Sequence, residues 1–196
     1  MRTTNGTSNH NGHEFVDLGL PSGTLWATCN VGATSPEQAG LYFAWGETVG
    51  YTATQVRKKK HLFDNDSYKA SSISADLTLE QDAAHVNLGG NWRMPTKRQF
   101  TELIENCDVS WKKNYKGTGV AGRVFKSKVN GSTVFFPAAG YCGYSFVSGV
   151  ISYGFYWSAS WSPSSYTWYL YFNYIGQLLS CTGRYFGQPV RGVCKK

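Results

Sequence analysis

Tyr166-Thr167-Trp168-Tyr169-Leu170-Tyr171-Phe172-Asn173-Tyr174 (YTWYLYFNY) alternates between two kinds of side chain. A β-strand sends successive residues to opposite faces. Leu170 and Phe172 are purely apolar and suit an inward face, so Tyr169, Tyr171 and Asn173 point the other way. A tyrosine hydroxyl seeks water or a partner, so that second face reads as a contact surface. The surrounding tract has the same character. Residues 141–186 hold sixteen aromatic side chains, in a chain with Trp 7, Tyr 13 and Phe 11. From Val129 to Val190 the one charged residue is Arg184. A single small core cannot enclose so many rings. Outward rings without charge are typical of recognition surfaces.

Upstream the hydrophobic period is different. Pro95-Thr96 opens a helix whose stripe is Phe100, Leu103, Ile104 and Cys107, ending near residues 106–108. A second helix is expected over residues 78–86 (TLEQDAAHV), with Leu79, Ala83 and Val86 on one face and an acidic first turn. Strands are expected at residues 15–20 and 24–28, around a turn at Pro21-Ser22-Gly23, and at 41–45. Later strands are expected at 123–128, 132–137, 155–158, 168–173 and 189–194. The long, basic, Ser-rich stretch 47–74 reads as an irregular surface excursion. The plan is α+β: two helices packed on a small twisted antiparallel sheet with long loops. Residues 13–196 are expected to form one domain, preceded by a disordered lead at 1–12, which is polar and has no apolar period.

The net charge is +7. Arg57, Lys58, Lys59 and Lys60 form one basic run, and Lys112, Lys113, Lys116, Arg123, Lys126 and Lys128 form another. Both lie outside the ring-rich tract, whereas nucleic-acid surfaces interleave cations with stacking rings. They read as solvated loops, and no nucleic-acid partner is expected. Five cysteines (Cys29, Cys107, Cys142, Cys181, Cys194) include no C-x-x-C pair, so zinc and thioredoxin-type chemistry have no support. No apolar run is long enough for a membrane span, and no signal-peptide core follows Met1. The histidines are His10, His13, His61 and His85, and no Gly-x-Ser-x-Gly string occurs. His85 suits a structural hydrogen bond within its helix. No catalytic residue, metal or cofactor is expected, and the chain is read as a binding protein and not an enzyme.

Several strings resemble a known family. Asp17-Leu18-Gly19-Leu20 leads to Trp26-Ala27-Thr28-Cys29-Asn30-Val31-Gly32-Ala33, then Tyr42-Phe43-Ala44-Trp45-Gly46-Glu47. Asp82-Ala83-Ala84-His85-Val86-Asn87, Trp92-Arg93-Met94-Pro95-Thr96 and Phe136-Pro137-Ala138-Ala139-Gly140-Tyr141 follow. Gly154-Phe155-Tyr156-Trp157-Ser158 and Gly187-Gln188-Pro189-Val190-Arg191 complete the set. Together they resemble the bacterial major paralogous domain family, some of whose relatives are variable proteins of diversity-generating retroelements. The resemblance implies a C-type-lectin-like fold with its ligand face on the later strands and loops, and a setting at the cell surface or on a virion. In the retroelement-linked relatives, adenines are diversified, so an AAC asparagine codon can become any NNC codon. Residues 143–155 (GYSFVSGVISYGF) and 178–186 (LLSCTGRYF) contain only residues that NNC codons encode. Apolar Ile151, Leu178 and Leu179, with Cys142 and Cys181, sit where loops are ordinarily polar. Tyr/Ser/Gly-rich loops also arise without any retroelement.

The expected contact residues are Tyr144, Phe146, Tyr153, Phe155, Trp161, Tyr166, Trp168, Tyr169, Tyr171, Asn173, Tyr174, Ile175, Leu178, Leu179, Cys181, Tyr185 and Phe186. Their partner is an unidentified macromolecule, a protein or another cell-surface molecule. Trp26, Trp45, Trp92 and Trp157 fall within the family strings and are assigned to the core. Arg93 and Arg191 are assigned to anchoring loops through carbonyls or carboxylates. Calcium-dependent sugar binding is not expected. Calcium needs six or more oxygen ligands, and no Asp or Glu occurs after Asp108. Gln188-Pro189 resembles the Pro-containing sugar motif of lectins, but Val190 replaces the polar ligand. The alternative function is an assembly module in which the same rings pack against identical copies in a surface layer or virion. A formylglycine-generating activity, found on the same general fold, is not carried over, because these cysteines have unrelated surroundings.

Overall fold

The computed structural model describes residues 8–163 and 166–196. β1 (Ser8–His10) and β2 (His13–Asp17) form a hairpin, and β2 pairs with β3 (Thr24–Asn30). Pro21 and Ser22 turn between them, with Gly23 N–H donating to Leu20 O at 2.9 Å. β4 (Tyr42–Phe43) precedes α1 (Ala53–Lys58), α2 (Ala83–Leu88) and α3 (Lys97–Asn106). A meander follows: β5 (Cys107–Lys112), β6 (Gly122–Ser127) and β7 (Thr133–Pro137). Next come the hairpin of β8 (Tyr141–Gly143) and β9 (Phe146–Ser148), then β10 (Gly154–Trp157), β11 (Tyr166–Phe172) and β12 (Gln177–Gly183). β13 (Gln188–Pro189) pairs with β4, and β14 (Arg191–Lys195) pairs with β3.

This overturns the expected plan of two helices packed on one twisted sheet. Among the described residues, fourteen strands form five small antiparallel sheets, and α-helix is confined to three short segments. The described residues are mostly β and 15% helical. Glycine turns join several of these strands. Gly131, Gly140 and Gly149 take φ of 74°, 68° and 73° between successive strands, a region that favours glycine.

The helix ends follow capping chemistry. Thr96 caps α3 and forms a reciprocal capping box with Gln99. Cys107 does not extend that helix; it starts β5. The helix expected over 78–86 is two elements. Thr78 and Gln81 close a single 3₁₀ turn at Leu79–Gln81. Asp82 then caps α2, accepting from His85 N–H at 2.9 Å. Leu79 and Val86 are consequently exposed and do not line a core face. Residues 1–7 of the expected disordered lead lie outside the described residues. Ser8–His10, assigned to that lead, is instead a strand, and His10 O accepts from Trp92 Nε1 at 3.0 Å.

Two large apolar clusters organise the interior. One gathers Phe43, Trp45, Trp92, Trp157, Tyr169 and Val190. The other gathers Trp26, Phe100, Leu103, Phe136, Tyr156, Leu170 and Phe172. Trp26, Trp45, Trp92 and Trp157 are fully buried, as expected. Truncating such a ring to alanine costs about 3–5 kcal/mol. The sheet β10-β11-β12 stands between the clusters and has work on both faces.

Candidate recognition face

Strand register decides which rings share a surface. Phe155 lies opposite Tyr171, and Tyr171 opposite Leu178. These three form one row across the sheet, with Trp157, Tyr169 and Ser180 in the next row on the same face. Tyr156, Leu170 and Leu179 form the row on the reverse face. There Leu170 and Phe172 are buried as expected, with Phe100 and Leu103 of α3. Leu179 packs on that cluster, and Cys181 lies opposite Trp168, whose ring sits under Lys97 Nζ at 3.4 Å. Trp168, Leu179 and Cys181 therefore leave the expected contact surface for the face bound to α3.

The front face holds a continuous chain of rings. Tyr153 stacks with Tyr171 at 6.0 Å, and Tyr171 meets Phe155 edge-on at 5.3 Å. Phe155 contacts Tyr141 at 4.9 Å, and Tyr141 reaches Phe146 at 6.1 Å and Phe186 at 5.6 Å. Tyr185 adjoins Phe186 at 4.4 Å. Tyr141 is the hub of this cluster. It was missed in the sequence because it falls inside a string assigned to the scaffold. Tyr169 is a second correction. It is buried against Trp157 and stacks under Phe155 at 5.7 Å. Burial raises its hydroxyl pKa, partly offset by a hydrogen bond with Ser180. It supports the face from below.

Two ends of the surface project furthest. In the turn between β11 and β12, Tyr174 is 69% exposed and Ile175 76%. Asn173 is a turn former and not a contact: its Oδ1 accepts from Ile175 N–H and Gly176 N–H at 2.8 and 3.1 Å. Leu178, Tyr153 and Ile151 are exposed beside this turn, and Ile151, Tyr153 and Tyr174 share a shallow cleft with Trp111 and Lys113. At the other end Tyr144 and Phe146 are exposed, and Tyr144 N–H donates to Phe63 O at 2.8 Å. Tyr166 is exposed on the margin of a separate cleft with Tyr68, Arg184 and Tyr185. Trp161 is drawn inward against the Trp45 cluster, with its backbone N–H donating to Asp76 Oδ1 at 2.7 Å, while its indole N–H is buried with no hydrogen-bond partner among the described residues. It is a packing residue.

The ring cluster around Tyr141 is uncharged because Arg184 turns away from it. Arg184 Nη1 donates to Ile73 O at 2.7 Å, Nη2 to Ser162 O at 3.2 Å, and the guanidinium covers Trp45 at 4.9 Å. A basic margin lies alongside. Arg57, Lys58, Lys59 and Lys60 are exposed, α1 packs against β9, and His61 touches Tyr144 at 5.7 Å. A cavity of about 580 Å³ lies apart, between Gly12–Glu14, Ala27–Asn30 and Asn87–Leu88. Among the described residues no group of three His, Cys, Asp or Glu side chains is placed to hold a metal ion. The five cysteines are free thiols. Burial pushes Cys107 up to about 11 and raises Cys142, Cys181 and Cys194, the direction that weakens a nucleophile. No described helix is long and apolar enough to cross a membrane. Compared with models of protein families, with curated proteins and with solved structures, the chain matches none.

Proposed function

We propose that this chain is a target-recognition module that binds a macromolecule, a protein or another cell-surface component, through its uncharged aromatic face, and performs no reaction. The observation that carries this reading is the contiguity of exposed Tyr153, Tyr174, Ile175 and Leu178 with the stacked rings of Phe155, Tyr171 and Tyr141. Rings of this kind give large contact area at small entropy cost. The basic margin at 57–60 suits a partner whose own rim is acidic, which speeds encounter and makes it salt-sensitive. The stacked rings Tyr141, Phe155, Tyr171 and Phe186 have no cation among them, and Lys113 enters only at the Tyr153–Tyr174 end, so a nucleic-acid strand is not the proposed partner. The proposed setting is the cell surface or a virion, as the family resemblance implies.

Diversification of this face by a retroelement is part of the proposal. Tyr144 and Ile151 adopt φ of 50° and 64°. Such angles are uncommon outside glycine, enriched for asparagine, and strained for a β-branched residue. Both residues are encoded by NNC codons reachable from an AAC asparagine codon. A backbone shaped for asparagine that carries isoleucine suits a position chosen for contact and not for folding. Ile151→Asn is therefore expected to stabilise the chain by about 1 kcal/mol, read as a higher urea midpoint at unchanged slope; a lower midpoint would count against it. The genetic test is the flanking DNA: a near-copy of the 3′ coding region that differs only at adenines, beside a reverse transcriptase gene. Self-association through the same face is the competing use. A sedimentation profile that stays monomeric at high concentration removes it.

A further inference from the structure

The aromatic face has a concave point with a polar floor. Tyr141, Phe155, Thr182, Phe186 and Gln188 line a cleft of about 220 Å³. Gln188 is 1% exposed, and its Oε1 has no hydrogen-bond partner. A buried acceptor left unpaired costs about 1–3 kcal/mol, and folded proteins keep few of them. The backbone here is firmly held. Gln188 lies opposite Phe43 in the β4–β13 pair. The preceding residue, Gly187, exchanges two hydrogen bonds with Cys142, at 2.7 and 2.9 Å. The orphan oxygen therefore belongs to a fixed strand beside the stacked rings.

We infer that this cleft is an anchor site for one tryptophan side chain of a protein partner, with its indole N–H donating to Gln188 Oε1 and its ring held among Tyr141, Phe155 and Phe186. The inference rests on the recognition reading of the face and specifies what the partner inserts there. Three properties select this occupant. The volume is below the roughly 300–1,000 Å³ of sites for drug-sized ligands, and fits a single side chain. The walls are aromatic, and offset or edge-on ring contacts add to simple burial. One acceptor lacks a donor, and an indole offers one donor and no acceptor of its own to be satisfied. An aliphatic side chain leaves Oε1 unpaired. A sugar ring brings several hydroxyls to a cleft whose polar side chains, beyond the tyrosine hydroxyl at its edge, are Thr182 and Gln188. Tryptophan is also among the residues that dominate protein interfaces.

The test uses indole and N-methylindole as probes of the whole chain, followed by amide NMR. Indole is expected to shift the resonances of Thr182, Phe186 and the Gln188 side chain, and to bind about tenfold more tightly than N-methylindole, the ratio of one modest hydrogen bond. Gln188→Met is expected to remove that preference while both probes still bind. Equal binding of the two probes by the unmutated chain overturns the inference, whatever the variant does to folding. So do indole shifts that map to another cleft. Saturation of the same resonances by a methyl glycoside, with no response to indole, also overturns it and reassigns the cleft to saccharide. Retention of a macromolecular target that is lost on Ile175→Ser with Leu178→Ser, but untouched by Gln188→Met, ends the anchor and leaves the recognition face standing.

Discussion

Replacing Arg191 by methionine is expected to destabilise the chain by about 4 kcal/mol or more, among the largest effects of any single change. Arg191 is fully buried. Its Nε donates to Asn30 Oδ1 at 2.9 Å, Nη1 to Ala27 O at 2.9 Å and also to Thr28 O, and Nη2 to Phe135 O at 3.0 Å. The guanidinium also lies 4.6 Å from the Phe136 ring. One side chain thus ties β3 to β7 and continues through Asn30 to the Tyr156 hydroxyl, which donates to Pro137 O at 2.7 Å. Burial lowers the guanidinium pKa, yet an arginine remains charged, and here carbonyl dipoles carry the compensation. Methionine fills the space but orphans several buried acceptors at about 1–3 kcal/mol each, not fully additive. The melting temperature should fall by about 8–16 °C. Arg191→Lys should not restore it, because one ammonium cannot reproduce the fork. A fall of only a degree or two would show that the network is dispensable.

The second large effect concerns binding. Tyr153→Ser, Tyr174→Ser, Ile175→Ser and Leu178→Ser combined should weaken target retention by about a hundredfold or more while the melting temperature stays nearly constant. All four residues are exposed. Tyr169→Ala should do the reverse. It removes a buried ring from beside Trp157, lowers stability by about 3–5 kcal/mol, and affects binding through the loss of support for Phe155. Biolayer interferometry beside thermal melts separates the two outcomes. Equal loss of folding in both variants would mean that the quadruple set is structural.

Local chemistry was readable in the sequence where its cause is local. Pro95-Thr96 marked the start of α3, and the alternation of residues 166–174 placed Leu170 and Phe172 inward. The Thr52-x-x-Gln55 capping box that starts α1 lay unread inside a stretch judged by its polarity. Sheet architecture depends on distant pairings, such as Arg191 with Asn30, which no window of sequence contains. Alternation gives a strand two faces but does not say that both are covered, so Tyr169 was placed outward. β12 was unreadable for a related reason. Leu178 and Leu179 are identical side chains, one on the front of the sheet and one locked against the α3 cluster. The basic run at 57–60 lies far in sequence from the rings, and the packing of α1 on β9, with the Phe63–Tyr144 backbone contact, brings it alongside.

That adjacency of Leu178 and Leu179 limits what any mutational process can do with this segment. A mechanism that rewrites neighbouring codons indiscriminately strikes the α3 lock as often as the open surface. Tolerated replacements along β12 must follow a stencil of every second residue, and the usable repertoire is far smaller than the number of altered codons suggests.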